Sequence, residues 1–285
     1  MILQLALGLM LSAAIGLAGY RSGALSRSGV LGAILTGTLI FGLGGIVPGL
    51  LLVSFFVSSS ALSRYRARAK EKLAEKFQKG SRRDLGQALA NGGLASLLIA
   101  LAAFLPSAAL FAGFIGALAA VTADTWATEV GVLAGSLPRL VTTGRQVPVG
   151  TSGGVTRLGS AAALAGAGFV GAAASILVVI GSLIPAALPP SILAVDWPSR
   201  WPALLAAAVV GGGLGALFDS VLGATVQGIY YCDHCGKETE RKLHPCGLRT
   251  RRVRGFAWMD NDVVNLLASI VGSGAAALVW FLLAR

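Results

Sequence analysis

The residues best able to do chemistry lie between Thr122 and Thr156, TADTWATEVGVLAGSLPRLVTTGRQVPVGTSGGVT. Asp124 and Glu129 fall inside an otherwise apolar segment, where an unpaired carboxylate is costly. Two such acids, with no basic residue in the same helix, either share protons or hold a cation. Hard oxygen ligands of this kind suit Mg²⁺ completed by substrate phosphates, although a transporter's proton relay uses the same residues. Asp219, within GGGLGALFDSVLGATVQG, is followed by Ser220 much as Asp124 is followed by Thr125. The match reads as a weak internal repeat with the two helices facing each other. Asp124, Glu129 and Asp219 are therefore the expected Mg²⁺ ligands.

The second half of the stretch is rich in glycine and hydroxyl groups. Gly150, Gly153 and Gly154 permit backbone amides to converge, and Thr151 and Ser152 add donors. Either this is a flexible turn, or it is a nest for phosphate oxygens just ahead of the next helix. It is not a P-loop, because no Gly-Lys-Ser/Thr follows. Lys79, Arg82, Arg83 and Arg145 are the cations expected to neutralise phosphate, with Arg83 in the catalytic group. Asp84 suits a helix N-cap, and Asp84, Gln87 and Asn91 share one face of that helix. Such a stripe serves helix packing or walls a polar cavity. Asn261 and Asn265, one turn apart, form a further stripe expected to orient phosphates or metal-bound water.

All three cysteines occur together, in YYCDHCGKETERKLHPCG. Cys232, Cys235, His244 and Cys246 supply enough soft ligands for a tetrahedral Zn²⁺ knuckle. The alternative is a set of unmetallated, reduced thiols that stiffen a loop.

These groups need a scaffold that holds them in a membrane. Of the 285 residues, 55% are hydrophobic and 12% charged, with a mean hydropathy of +0.78. Continuous apolar stretches rich in Ala, Leu and Gly are long enough to cross a bilayer as helices, and the small residues allow close helix contact. The spans are expected at 2–20, 30–43, 48–63, 85–105, 108–136, 158–186, 202–228 and 261–283, with 30–43 and 48–63 either a re-entrant pair or two thin helices. The N-terminal stretch lacks an early positive region and a cleavage site, so it reads as a retained first helix. Lys and Arg crowd into the alternate connections 21–29, 64–84, 137–157 and 229–260, which hold 21 of the 23. That asymmetry places the four connections in the cytoplasm and both termini outside. Arg64, Arg68, Lys72 and Lys76 are expected along one side of a helix continuing from the third span. The net charge of +11 is thus topological, and without interleaved aromatics it does not indicate nucleic acid. The fold class is an all-α polytopic membrane protein: one domain over 1–285, a bundle of seven to eight helices and a small cytoplasmic Cys/His loop.

ADTWATEVG at 123–131, VPVGTSGGVT at 147–156, RRDLGQALANGG at 82–93 and FDSVLGATVQ at 218–227 together resemble the membrane family called domain-of-unknown-function family 92, or the transmembrane protein 19 family. The resemblance covers most of the chain in order and extends to the cysteine–histidine loop and the asparagines after it. It implies similarity to the plant phytyl-phosphate kinase of tocopherol synthesis. The implied reaction is phosphoryl transfer from a nucleoside triphosphate, CTP or another, to an isoprenyl monophosphate of phytyl or geranylgeranyl type. The implied partners are those two substrates and membrane lipid, with a homo-oligomer left open. The rival readings are a transporter or lipid flippase, and a lipid cytidylyltransferase. The localisation expected is a multi-pass protein of the plasma (inner) membrane if the source is bacterial.

Overall fold

The computed structural model describes residues 1–67, 82–105, 107–184, 187–189, 192 and 195–284. Eight of its helices are long and apolar enough to cross a membrane: α1 (Ile2–Arg21), α2 (Arg27–Gly44), α3 (Ile46–Arg64), α4 (Leu85–Phe104), α5 (Ala108–Gly131), α6 (Arg157–Gly181), α7 (Trp197–Thr225) and α8 (Asn261–Leu283). The expected spans recur with shifted ends. The pair 30–43 and 48–63 forms two separate helices, divided at Gly45, whose φ of 85° suits glycine. The helix expected to run on from the third span instead stops: Tyr65 is extended, and Arg66 has φ 50°. Arg64 turns back to donate to the Ser22 carbonyl at 2.6 Å, while Arg68, Lys72 and Lys76 lie outside the described residues, as does Lys79.

α5 is the axis of the bundle. Every residue from Phe111 to Ala123 is buried, and α3, α4, α6, α7 and α8 all pack on it. Small side chains make this possible. A Cβ on Gly272 of α8 would come within 2.7 Å of the Ala120 Cβ and 2.9 Å of the Gly211 carbonyl of α7. The three backbones therefore approach as closely as small-residue packing allows in lipid.

At one end of the bundle residues 22–26, 65–67, 82–84, 132–156 and 226–260 gather. Leu25 bridges to Arg83, and a Cβ on Gly153, at φ 80°, would overlap the backbone of Ala224. We call this the polar end. Two small sheets, which the sequence did not announce, stiffen it. β1 (Arg139–Leu140) pairs antiparallel with β2 (Gly154–Val155). In the last connection β3 (Ile229–Cys232) lies between β4 (Lys237–Thr239) and β5 (Arg251–Arg254), both antiparallel to it. The opposite end is closed by aromatics: Trp197 sits 5.6 Å from Phe111 and 5.4 Å from Trp280, ring centre to ring centre.

Candidate functional site

Two helices that both run toward the polar end bring the acids together. α5 and α7 touch where Ala120 meets Gly215; a Cβ there would lie 2.5 Å from that of Ala120. Four residues further along each chain come Asp124 and Asp219. One helical turn on from a close contact between parallel helices, the side chains still face each other. The two carboxyl groups are close enough to hydrogen-bond when one carries a proton. Asp219 Oδ2 is buried and without a partner among the described residues. The expected pairing of the two Asp-hydroxyl helices is therefore present.

Glu129 does not join them. Five residues along a helix is about 140° around and 7.5 Å up, so Glu129 points to different neighbours from Asp124. It accepts a hydrogen bond from Ser63 Oγ of α3 at 2.6 Å and attracts the Arg83 guanidinium. The expected three-acid metal cluster is thus a pair, with Glu129 in a second group alongside Arg83. A different acid approaches Asp219: Glu240, from the segment after β4. Gln227 Nε2 donates to Glu240 at 3.1 Å. Nothing in the sequence around Glu240 distinguished it, because the contact exists only once β4 folds back on β3.

Arg83 lies just before α4. Its Nη1 donates to Ser60 Oγ at 2.9 Å, and its guanidinium lies over the Phe56 ring at 5.8 Å. Burial lowers its pKa from the ordinary arginine value, and Glu129 opposes that shift. Asp84 is the N-cap expected, in a capping box with Gln87. Arg83, Gln87 and Asn91 together form the polar margin of a mostly apolar cavity between α1, α2, α3 and α4. Its apolar wall includes Ile15, Ala33, Phe41 and Phe55; its internal volume is about 70 Å³, and it is partly open to its surroundings. Asn91 Oδ1 is buried there with no partner among the described residues.

The remaining expected residues divide. Arg82 is used structurally, donating to the Leu25 carbonyl at 3.2 Å and lying 5.5 Å over the Tyr20 ring. Arg145 is exposed in the turn joining β1 to the rest of its hairpin. In the glycine loop, the Thr151 amide donates to Pro148 and the Gly154 amide to Thr151, so these amides serve a turn instead of pointing at a common centre. Ser152 Oγ donates to Gln227 Oε1, and Gly150 and Gly153 take positive φ. The loop is a clasp across the end of α7. Asn261 opens α8 and lines a second, polar pocket with Gln227, Glu240, Lys242 and Asp260. Asn265 lies one turn beyond, half-buried.

The Cys/His residues converge as the spacing predicts. One ligand atom each from Cys232, Cys235, His244 and Cys246 lie within 4.8 Å of one another. The Cys235 amide donates to the Cys232 sulfur and holds that thiol's pKa below its usual value. Burial pushes Cys235 up to about 11, and the neighbouring sulfurs add to it.

The comparisons with known proteins agree with this architecture. A family model described as "Integral membrane protein DUF92" matches residues 10–273. The chain belongs to that family. It is a multi-pass integral membrane protein. Within the family, this DUF92 chain is 31% identical to Protein PGR of Arabidopsis thaliana, over 95% of its own length and 94% of the relative's. It is 30% identical to the uncharacterized membrane protein MJ0933 of Methanocaldococcus jannaschii, covering 91% and 87% of the two chains. To the chloroplastic Protein VTE6 of Arabidopsis thaliana it is 28% identical, over 90% of this chain and 65% of that one. No solved structure matches the DUF92 chain.

Proposed function

We propose that this protein is a prenyl-phosphate kinase, transferring a phosphoryl group from a nucleoside triphosphate to an isoprenyl monophosphate at the polar end of the bundle. The observation that carries the reading is the junction at Arg83. There an apolar cavity between helices ends in a guanidinium within the electrostatic range of Glu129 on α5, the helix bearing Asp124. A prenyl chain needs the apolar part, and a phosphate needs the cation at its end. The chemistry implied by the family resemblance, and the similarity to Protein VTE6, support the same reading.

In the proposed reaction an oxygen of the monophosphate attacks the γ-phosphorus of the triphosphate. The bond from that phosphorus to the β–γ bridging oxygen breaks, the nucleoside diphosphate leaves, and a prenyl diphosphate forms. The acceptor oxygen is already ionised near neutral pH, so no strong general base is required; positioning and charge neutralisation carry the catalysis. Arg83 orients the acceptor phosphate, with Asn91 beside it. The polar pocket at Gln227, Lys242 and Asn261 takes the nucleotide. The facing carboxylates of Asp124 and Asp219, one with an unpartnered buried oxygen, fit Mg²⁺, which when bound would neutralise the charge of the phosphates. By the distribution of Lys and Arg, the polar end is cytoplasmic and both termini lie outside.

The test uses protein purified in detergent with Mg²⁺, a panel of nucleoside triphosphates and phytyl or geranylgeranyl monophosphate. Formation of the prenyl diphosphate with release of nucleoside diphosphate, lost in Asp124→Asn, is expected. Release of pyrophosphate would make it a cytidylyltransferase. Absence of product from any prenyl phosphate would overturn the kinase reading in favour of transport.

A further inference from the structure

We infer that Cys232, Cys235, His244 and Cys246 form a structural zinc site that ties the β3–β4–β5 sheet together. The inference stands apart from the proposed reaction. Two tight turns, each ending in a glycine, bring their ligands together here. In the first, Cys232-Asp233-His234-Cys235-Gly236 closes the β3–β4 hairpin, with the Gly236 amide donating to the Cys232 carbonyl at 2.9 Å. In the second, His244-Pro245-Cys246-Gly247 closes with the Gly247 amide on the His244 carbonyl, also at 2.9 Å. Each pair of ligands is followed at once by a glycine of positive φ, 64° and 87°, the backbone that folds both ligands toward one centre.

The distances fit a tetrahedral ion. Cys232 and Cys246 sulfurs are 3.7 Å apart, against an edge of about 3.8 Å for a tetrahedron with Zn–S bonds of ~2.3 Å. A second observation points to a ligand. His244 is buried, 4% exposed, and its Nε2 has no hydrogen-bond partner among the described residues. A buried imidazole without a partner on one nitrogen is unfavourable unless something takes up its capacity. Three thiolates and one neutral imidazole are a soft donor set of the structural, closed type. His234, which approaches Cys235 at 3.6 Å, is exposed and stands outside the group.

The neck of the second turn is already fastened: Thr250 Oγ1 donates to the Arg241 carbonyl at 2.7 Å. Glu240 immediately precedes that neck and follows β4. The ion thus holds the segment that carries Glu240, which accepts from Gln227 at the end of α7.

The test is metal analysis of the full chain, purified in mild detergent with an affinity tag that contains no histidine. One zinc per chain is expected, retained through dialysis, absent from Cys246→Ser and His244→Ala, and retained in His234→Ala. Replacement of the zinc by Co²⁺ in the wild-type protein is expected to give the ligand-field and sulfur-to-cobalt bands of a tetrahedral S₃N site. This measurement decides the matter even if the cysteine variants fail to fold. Metal-free protein with three thiols titrating freely, or a Cys232–Cys246 disulfide found by mass spectrometry, would overturn the proposal. Loss of metal in His234→Ala but not in His244→Ala would overturn the ligand assignment. Prenyl-phosphate kinase activity has no bearing on any of these outcomes.

Discussion

The two ends of this bundle are built from the same helices but resolve their polar atoms in opposite ways. At the far end Phe111, Phe114, Trp197 and Trp280 pack in contact, and the Trp197 indole N–H donates to the Ile192 carbonyl at 2.9 Å. At the polar end two carboxyl groups face each other, and Asn91 Oδ1 and Asp219 Oδ2 are buried without partners among the described residues. A fold selected only for stability would not bury two carboxyl groups against each other or bury an amide oxygen with nothing to accept. The difference shows which end secures the fold and which end is kept ready for something else. It also argues against a transport path along the axis of α5, because its acids lie at one end and its other end is closed by rings.

The contrast can be broken by substitution. The largest effect is expected at the far end: Trp197→Ala should remove about 3–5 kcal/mol of stability, read as a lowered melting temperature in detergent, with catalysis per folded molecule unchanged. Asp219→Asn should do the reverse. Activity should fall by more than the roughly 10–100-fold that loss of a supporting residue costs, while thermal stability in the absence of Mg²⁺ holds or rises because a neutral amide replaces a buried ionisable group. A joint loss of folding and activity in Asp219→Asn would erase the distinction between the two ends. Arg83→Lys keeps the charge but loses the planar fork. It should raise KM for the prenyl phosphate about tenfold with little change in KM for the nucleotide, measured by steady-state kinetics with each substrate varied. The smallest effect is expected for Ser63→Ala, which frees Glu129 from one hydrogen bond worth about 1 kcal/mol, or roughly fivefold in kcat/KM.

The spans were readable because each is long and apolar enough to demand a helix. Asp84 was readable as an N-cap, and the soft-ligand spacing at Cys232, Cys235, His244 and Cys246 was readable as a cluster. The pairing of Asp124 with Asp219 was visible as a local likeness, and the structure explains it: each acid lies four residues after a small residue at the same helix contact. Other residues lie apart from the groups their sequence suggests, for physical reasons. Asp124 and Glu129 share an apolar helix as candidate Mg²⁺ ligands, but five residues of helix turn them toward different neighbours. For the glycine loop the composition leaves a turn and a phosphate nest both open, and its hydrogen bonds close turns and clasp α7. Arg82, Arg83 and Arg145 are alike in sequence as candidate phosphate-neutralising cations, and of the three Arg83 lines the cavity, beside Ser60 and Phe56.

What the sequence determined by itself was solvent and period. The apolar runs, the crowding of Lys and Arg into alternate connections and the short-range ligand spacings are local properties, written in consecutive residues. Which acids meet was decided only by the tertiary structure. Glu240 meets Gln227 at the end of α7 because one hairpin folds over that helix, and Ser63 of α3 meets Glu129 because α3 packs on α5. Contacts of that kind depend on how several backbones cross, and no single stretch of sequence contains that angle.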